Sequence, residues 1–172
     1  MITSYNPNQN LTKQDKYTTD LKDIAKIIKQ QLKKEFPRCV FSVTISRYSM
    51  GQSLTVALME SDIKIIKDFE EITELGFLNC EQHLYTKDQI KNMQKDMYHQ
   101  LNQYSFRDEY NPDHWNNGVF LTKQGYNLFK RVVEIINHFN YDNSDSMTDY
   151  FDVNFYLDLH IGKWNKPYQR VV

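Results

Sequence analysis

The stretch whose reading decides the fold is residues 150–164, YFDVNFYLDLHIGKW. Phe151, Val153, Phe155, Leu157, Leu159 and Ile161 take every second place, with Asp152, Asn154, Asp158 and His160 between them. Period two marks a strand with one buried face. It predicts a strand over residues 150–161 whose odd-numbered side needs a covering layer.

Two helices can supply that layer. Thr19 or Asp20 caps a helix that Pro37 stops, predicting residues 20–36. Its apolar face is Leu21, Ile24, Ala25, Ile28, Leu32 and Phe36. Thr122 caps a second, residues 122–139, in which Tyr126, Leu128, Phe129, Val132, Val133, Ile135, Ile136 and Phe139 fill half the wheel. Alternation of Phe41, Val43 and Ile45, then of Leu54, Val56 and Leu58, predicts a hairpin over residues 39–59. Its loop is RYSMGQS, with Gly51 inside. Ser61 can cap a short helix over 62–74, and Ile90, Met93, Met97 and Leu101 suggest a third over 87–101. Residues 104–120 read as a long structured loop. The expected fold is α+β: an antiparallel sheet, made of the hairpin plus the long C-terminal strand, covered on one face by two amphipathic helices. Residues 60–118 form a less regular helical insertion. Residues 1–18, polar and without period, read as a flexible or loosely docked arm that Tyr5 and Tyr17 could anchor, and 19–172 as a single domain.

Composition narrows the function classes. Hydrophobic residues are 40% and charged residues 25%, enough for a core. A net charge of −1 suits neither a general polyanion binder nor a whole-surface nucleic-acid mimic. The 12 Tyr and 10 Phe either fill the core or furnish a binding surface. Cys39 and Cys80 have no metal or redox spacing, so a reduced, cytoplasmic setting is expected. No apolar run nears the ~18 residues a membrane span needs.

Charge is unevenly spread. Lys22, Lys26, Lys29 and Lys33 form a row along the first helix, continued by Arg38. Such a row is ordinarily a solvated helix face; its sharper reading is contact with phosphates or an acidic partner. Arg47 and Tyr48 open the hairpin loop and suit a recognition tip or a plain exposed turn. Between residues 142 and 158 stand five Asp (Asp142, Asp145, Asp149, Asp152 and Asp158) and no Lys or Arg. The first four could offer oxygens to Mg²⁺ or Ca²⁺, but the spacing is not that of an EF-hand, and Asx-turns need the same residues with no metal. Asp158 and His160 share a strand face, where the solvent side of a sheet is the ordinary reading and a general base the sharper one. There is no Gly-rich phosphate loop, nucleophile elbow or paired C-x-x-C. No catalytic residue, metal site or cofactor is assigned, and the chain is read as a non-enzyme.

Two segments carry a resemblance. DIAKIIKQQLKKEFP, FSVTISRYS and SLTV, within residues 19–58, resemble the N-terminal unit of a large polyvalent-protein-associated domain family of phage and plasmid proteins. NYDNSDSMTDYFDVNFYLDLHIGKWNKP resembles the C-terminal block of small proteins on Gram-positive phages and plasmids. Residues 60–117 carry neither likeness. The resemblance implies a helix packed on an antiparallel sheet and a mobile-element origin, and it transfers no catalytic residues. From that company comes the leading expectation: a protein that binds and inhibits a host defence complex, with a type II CRISPR effector nuclease and its guide RNA as the expected partner, met by the acidic patch. The alternatives are a nucleic-acid-associated module using the lysine row and, below it, a metal-dependent nuclease.

Overall fold

The computed structural model describes residues 2–74, 88, 91–92, 97–111, 120–145 and 147–171. In chain order these form α1 (Lys13–Thr18), α2 (Leu21–Glu35), β1 (Val40–Tyr48), β2 (Gly51–Ser61), α3 (Phe69–Glu74), β3 (His99–Leu101), a 3-10 turn (Gln103–Phe106), α4 (Lys123–Asn137), β4 (Tyr156–Ile161) and β5 (Gln169–Arg170). The fold is α+β, as the alternating stretch and the two amphipathic helices require.

The sheet runs β1-β2-β4-β3, with β5 pairing the end of β2. One finer expectation needs correction. β1 and β2 are antiparallel, and so are β3 and β4, but β4 lies parallel to β2, Leu54 beside Leu157 and Leu58 beside Ile161. The sheet is therefore mixed. A helix-containing crossover of some 95 residues brings β4 alongside β2, as parallel neighbours require.

Both main helices start where their caps place them. The Asp20 side chain accepts from the Lys22 amide, and the Thr122 hydroxyl accepts from the Gly125 amide while donating to the Lys64 carbonyl. Leu21, Ile24, Ile28 and Leu32 of α2 share one core with Phe129, Val132, Ile135 and Ile136 of α4 and with Leu54, Val56, Leu58, Leu157, Leu159 and Ile161 of the sheet. Arg131 of α4 ties the helices together by a forked contact with Glu35, whose second oxygen also takes the Gln31 amide. Cys39 is buried, and burial pushes its thiol up to about 11, so it is a packing residue without thiolate chemistry.

Four local expectations change. The hairpin loop is a two-residue turn, because Tyr48 pairs with Gly51, so Arg47 and Tyr48 belong to β1. Ser61 ends β2 and caps no helix; its buried hydroxyl meets the Tyr168 hydroxyl at 2.8 Å, and among the described residues the helix that follows is Phe69–Glu74. Leu101, expected on a third helix, lies in β3. Cys80, Ile90, Met93, Pro112 and Trp115 lie outside the described residues. Residues 2–18, expected as a flexible or loosely docked arm, lie against the body: the Ile2 side chain is buried and its amide donates to the Thr19 hydroxyl at 3.0 Å. Tyr5 packs edge-on against His138.

Candidate interaction surface

The alternating stretch does not run as one strand. Residues 142–153 fold back on themselves, with bridges between Asp142 and Val153 and between Asp145 and Tyr150. The chain joins the sheet only at Tyr156. Two asparagines close the base of this irregular hairpin. Asn140 Nδ2 donates to the Phe155 carbonyl at 2.9 Å and its Oδ1 accepts from the Phe155 amide. Asn154, buried, donates to the carbonyls of Phe139 and Lys16. Asn154 is thus a structural clamp and not part of a solvent row. Phe151, expected in the core, is 72% exposed, because it precedes the point where the sheet begins.

The acidic residues take three different places. Asp142 and Asp145 act as Asx-turn acceptors, to the amides of Ser144 and Met147, and Asp145 also takes the Thr148 hydroxyl. Hydrogen bonds from Ser144 hold the Asp142 carboxyl below the usual range, helped by the charge of Arg107. Asp149 adopts φ +51 at the tip, a conformation that a short polar side chain tolerates. These three are exposed. Asp152 is held by Lys13, whose ammonium also lies over the Tyr141 ring, and Lys16 donates to the Asn140 carbonyl. The patch has no cation in its own segment, yet the N-terminal residues bring it two. Asp158 stands apart on β4, beside Thr55. Among the described residues no group of three or more His, Cys, Asp or Glu stands where it could hold a metal ion.

The hairpin carries a feature that the period-two reading hid. Met147 (91% exposed), Tyr150 and Phe151 project outward among Asp142, Asp145 and Asp149. Phe151 also forms one wall of a cleft of about 640 Å³ between the hairpin, the 3-10 turn and α4. Its floor is Phe106, Val133, Phe155 and Leu157, and its rim carries Tyr104, Arg107, Lys130 and Glu134. Arg107 stacks over the Tyr104 ring at 4.9 Å.

Residues 19–123, more than half of the chain, match the family described as Large polyvalent protein associated domain 29. The chain belongs to this family. The match extends the N-terminal likeness across residues 60–117, which had shown none of their own. It ties the chain to phage- and plasmid-associated proteins. No curated protein and no solved structure matches the chain. In this polyvalent-protein-associated domain the matched part carries α2, β1, β2, α3 and β3 and stops at the start of α4. β4, which separates β2 from β3, lies beyond it.

The basic residues of the domain sort in two. Arg38 pairs with Asp62 at 2.8 Å, and Arg47 reaches both oxygens of Asp20, at 2.9 and 2.7 Å. Hydrogen bonds from the Lys22 amide and from Arg47 hold the Asp20 carboxyl below the usual range. Arg38 closes the open end of the hairpin, and Arg47, ion-paired at the end of β1, ties its turn end to the start of α2. Lys22, Lys26, Lys29 and Lys33 are exposed, and no ion pair engages them among the described residues. Tyr48 is about half exposed at the end of β1. His160 stacks on Tyr98, 5.6 Å between centroids, and burial lowers its proton affinity despite nearby Asp158. A half-buried, stacked imidazole suits a packing role better than a general base. No helix of the described residues is long and apolar enough to cross a membrane.

Proposed function

We propose that this phage- and plasmid-associated protein acts by binding, without catalysis, and that it inhibits a host defence complex, a type II CRISPR effector nuclease being the expected target. The observation that carries the reading is the hairpin of residues 142–153, which presents Met147, Tyr150 and Phe151 to solvent beside three exposed carboxylates. Large apolar side chains grouped on a surface mark an interaction site, and interface energy concentrates in a few such anchors. Acidic groups around them favour a basic partner surface and hasten encounter with it. Effectors that hold a guide RNA and its target carry such a basic channel.

The test is pull-down and cleavage inhibition with purified candidate effectors. Phe151→Ala should weaken inhibition about tenfold or more. Reversal of Asp142, Asp145 and Asp149 to Lys should slow association most at low salt. Inhibition untouched by both changes removes the hairpin from the mechanism. Mg²⁺-dependent cleavage of nucleic acid by the purified chain, abolished by EDTA, would replace the binding reading with a nuclease.

A second reading, as a nucleic-acid-associated module, draws on the unpaired lysine row of α2. It requires steeply salt-dependent retention of a DNA or RNA probe. A probe that does not shift at low salt removes it.

A further inference from the structure

Among the described residues β1 is the outer strand of the sheet, pairing only with β2. Natural edge strands are usually blunted by a proline, an unpaired charge or a covering element. Residues 41–46, FSVTIS, contain neither proline nor charge. Their side chains also show an open edge. Val43 and Ile45 face the helices, yet both stay partly exposed, while their partners on β2, Val56 and Leu54, are fully buried. On the other face Thr44 and Ser46 are exposed.

The lysine row belongs to α2, the helix that packs on this edge strand. α2 packs on β1 and runs antiparallel to it: Asp20, at the helix start, holds Arg47 near the strand's end, and the Phe36 ring, past the helix end, sits 6.0 Å from that of Phe41. At about 100° per residue, Gln31 and Ile27 fall on one flank of the buried stripe of α2, and Glu35, at the helix end, meets Arg131 of α4. Phe36, Lys29 and Lys22 fall on the opposite flank, the side on which Phe36 meets β1, and Lys33 and Lys26 stand next to them, turned further toward solvent. The lengths agree. Lys22 to Lys33 spans about 17 Å of helix axis, and residues 41–46 span about 17 Å of strand. An added strand would present a side chain on this side about every 7 Å, against about 4.5–6 Å between successive lysines, within reach of their flexible side chains.

We propose that the outer edge of β1 and the lysine flank of α2 together form a docking site for an extended acidic segment of a partner protein, which adds to the sheet as a further strand. The backbone of β1 supplies the pairing. The aliphatic parts of Glu side chains cover Val43 and Ile45, and their carboxylates meet the lysines. An open strand edge can pair with a polypeptide and cannot pair with a phosphodiester, so the edge favours an acidic peptide over nucleic acid as occupant. This surface is distinct from the 142–153 hairpin, so hairpin variants leave it intact and the two readings fail separately.

The probe is a blocked, alternating Glu-Thr peptide about as long as β1, added to the full chain. Hydrogen exchange should slow at the β1 amides that point away from β2. An N-methylated version should give no protection, and a Lys-Thr peptide should bind at least about tenfold more weakly. Lys26→Glu with Lys29→Glu, both on the surface, should weaken binding about tenfold while leaving the melting temperature unchanged. Absence of binding overturns the proposal, as does equal binding of the two peptides. So does a single-stranded oligonucleotide that engages the lysine flank when the peptide does not. Protection of the same amides that rises with protein concentration alone would assign the edge to a second copy of this chain instead.

Discussion

Gly125 sits in the first turn of α4, where helix propensity alone would favour Ala by about 1 kcal/mol. A Cβ there would stand 2.6 Å from the Ile65 carbonyl oxygen, which is backbone and cannot swing aside. Gly125→Ala should therefore destabilise the protein by about 2 kcal/mol, read by urea unfolding. A stabilised variant would mean that the approach of residue 65 to α4 is looser than the structure has it. His99 makes a different residue-level case. It packs 5.4 Å from the Phe120 ring, and burial, helped by His160, lowers its pKa to about 4 from the ordinary 6.5. The unfolded chain takes up this proton as pH falls through 6.5, and the folded chain resists until about 4. Stability is thus intact above pH 6.5 and falls across that window by about 3 kcal/mol. Burial shifts His138 the same way. His99→Phe should flatten much of the slope between pH 6.5 and 4.5, and an unchanged slope would show that His99 is not the group responsible.

Among the elements, the hairpin of residues 142–153 depends on the residues at its base. Asn154 is buried and satisfies two carbonyls from different segments. Asn154→Leu leaves both carbonyls without that donor and should cost about 2 kcal/mol, with exchange in residues 141–153 rising more than in β4. Equal rises throughout would show that the asparagine serves the whole fold and not this hairpin. The same elements show what the sequence could convey. α2 and α4 were legible to within about two residues, because a Thr or Asp cap, a wide apolar stripe and, for α2, Pro37 all agree. The β1–β2 hairpin was legible from alternation, but its turn was not: Arg47 and Tyr48 look like loop residues until the Tyr48–Gly51 pairing is known. The stretch from Tyr150 misled because alternation records which residues could face one way and not which partner they meet. Phe151 and Val153 keep the period inside a segment that bridges back to residues 142 and 145 and not to the sheet. Asn140 and Asn154, which break the strand from its lead-in, look in the sequence like ordinary polar residues. Of the candidate sites, the lysine row was readable from helical spacing alone. Its place at the sheet edge was not, since that needs the strand order. The acidic cluster looked free of cations because Lys13 reaches it from 139 residues away.

Across the whole molecule, residues 2–18 act as a strap over the hairpin side of the fold. Ile2 fills a core position, Tyr5 lies on His138, Lys13 holds Asp152, and Lys16 spans to residue 140. Deleting residues 2–18 should lower stability by about 3 kcal/mol, most of it from the apolar burial of Ile2 and Tyr5. It should also raise the negative potential of the hairpin, so that a cationic partner associates faster with the shortened chain at low salt. Slower association would argue that the strap itself contributes to the partner site.

The strand order has one more consequence. The family match ends at residue 123, but β2 and β3 do not pair, since β4 stands between them. A piece cut at that border would be a sheet missing its middle rung, with the inner edge of β2 bare and β3 unattached. Such a piece should aggregate, as exposed edges do. Residues 124–172, supplied as a separate chain, carry the missing rung and α4 and should restore a folded whole by complementation, seen as recovered dispersion in amide spectra. The border drawn by sequence kinship and the border at which the protein can be divided are therefore different, and β4 is the reason.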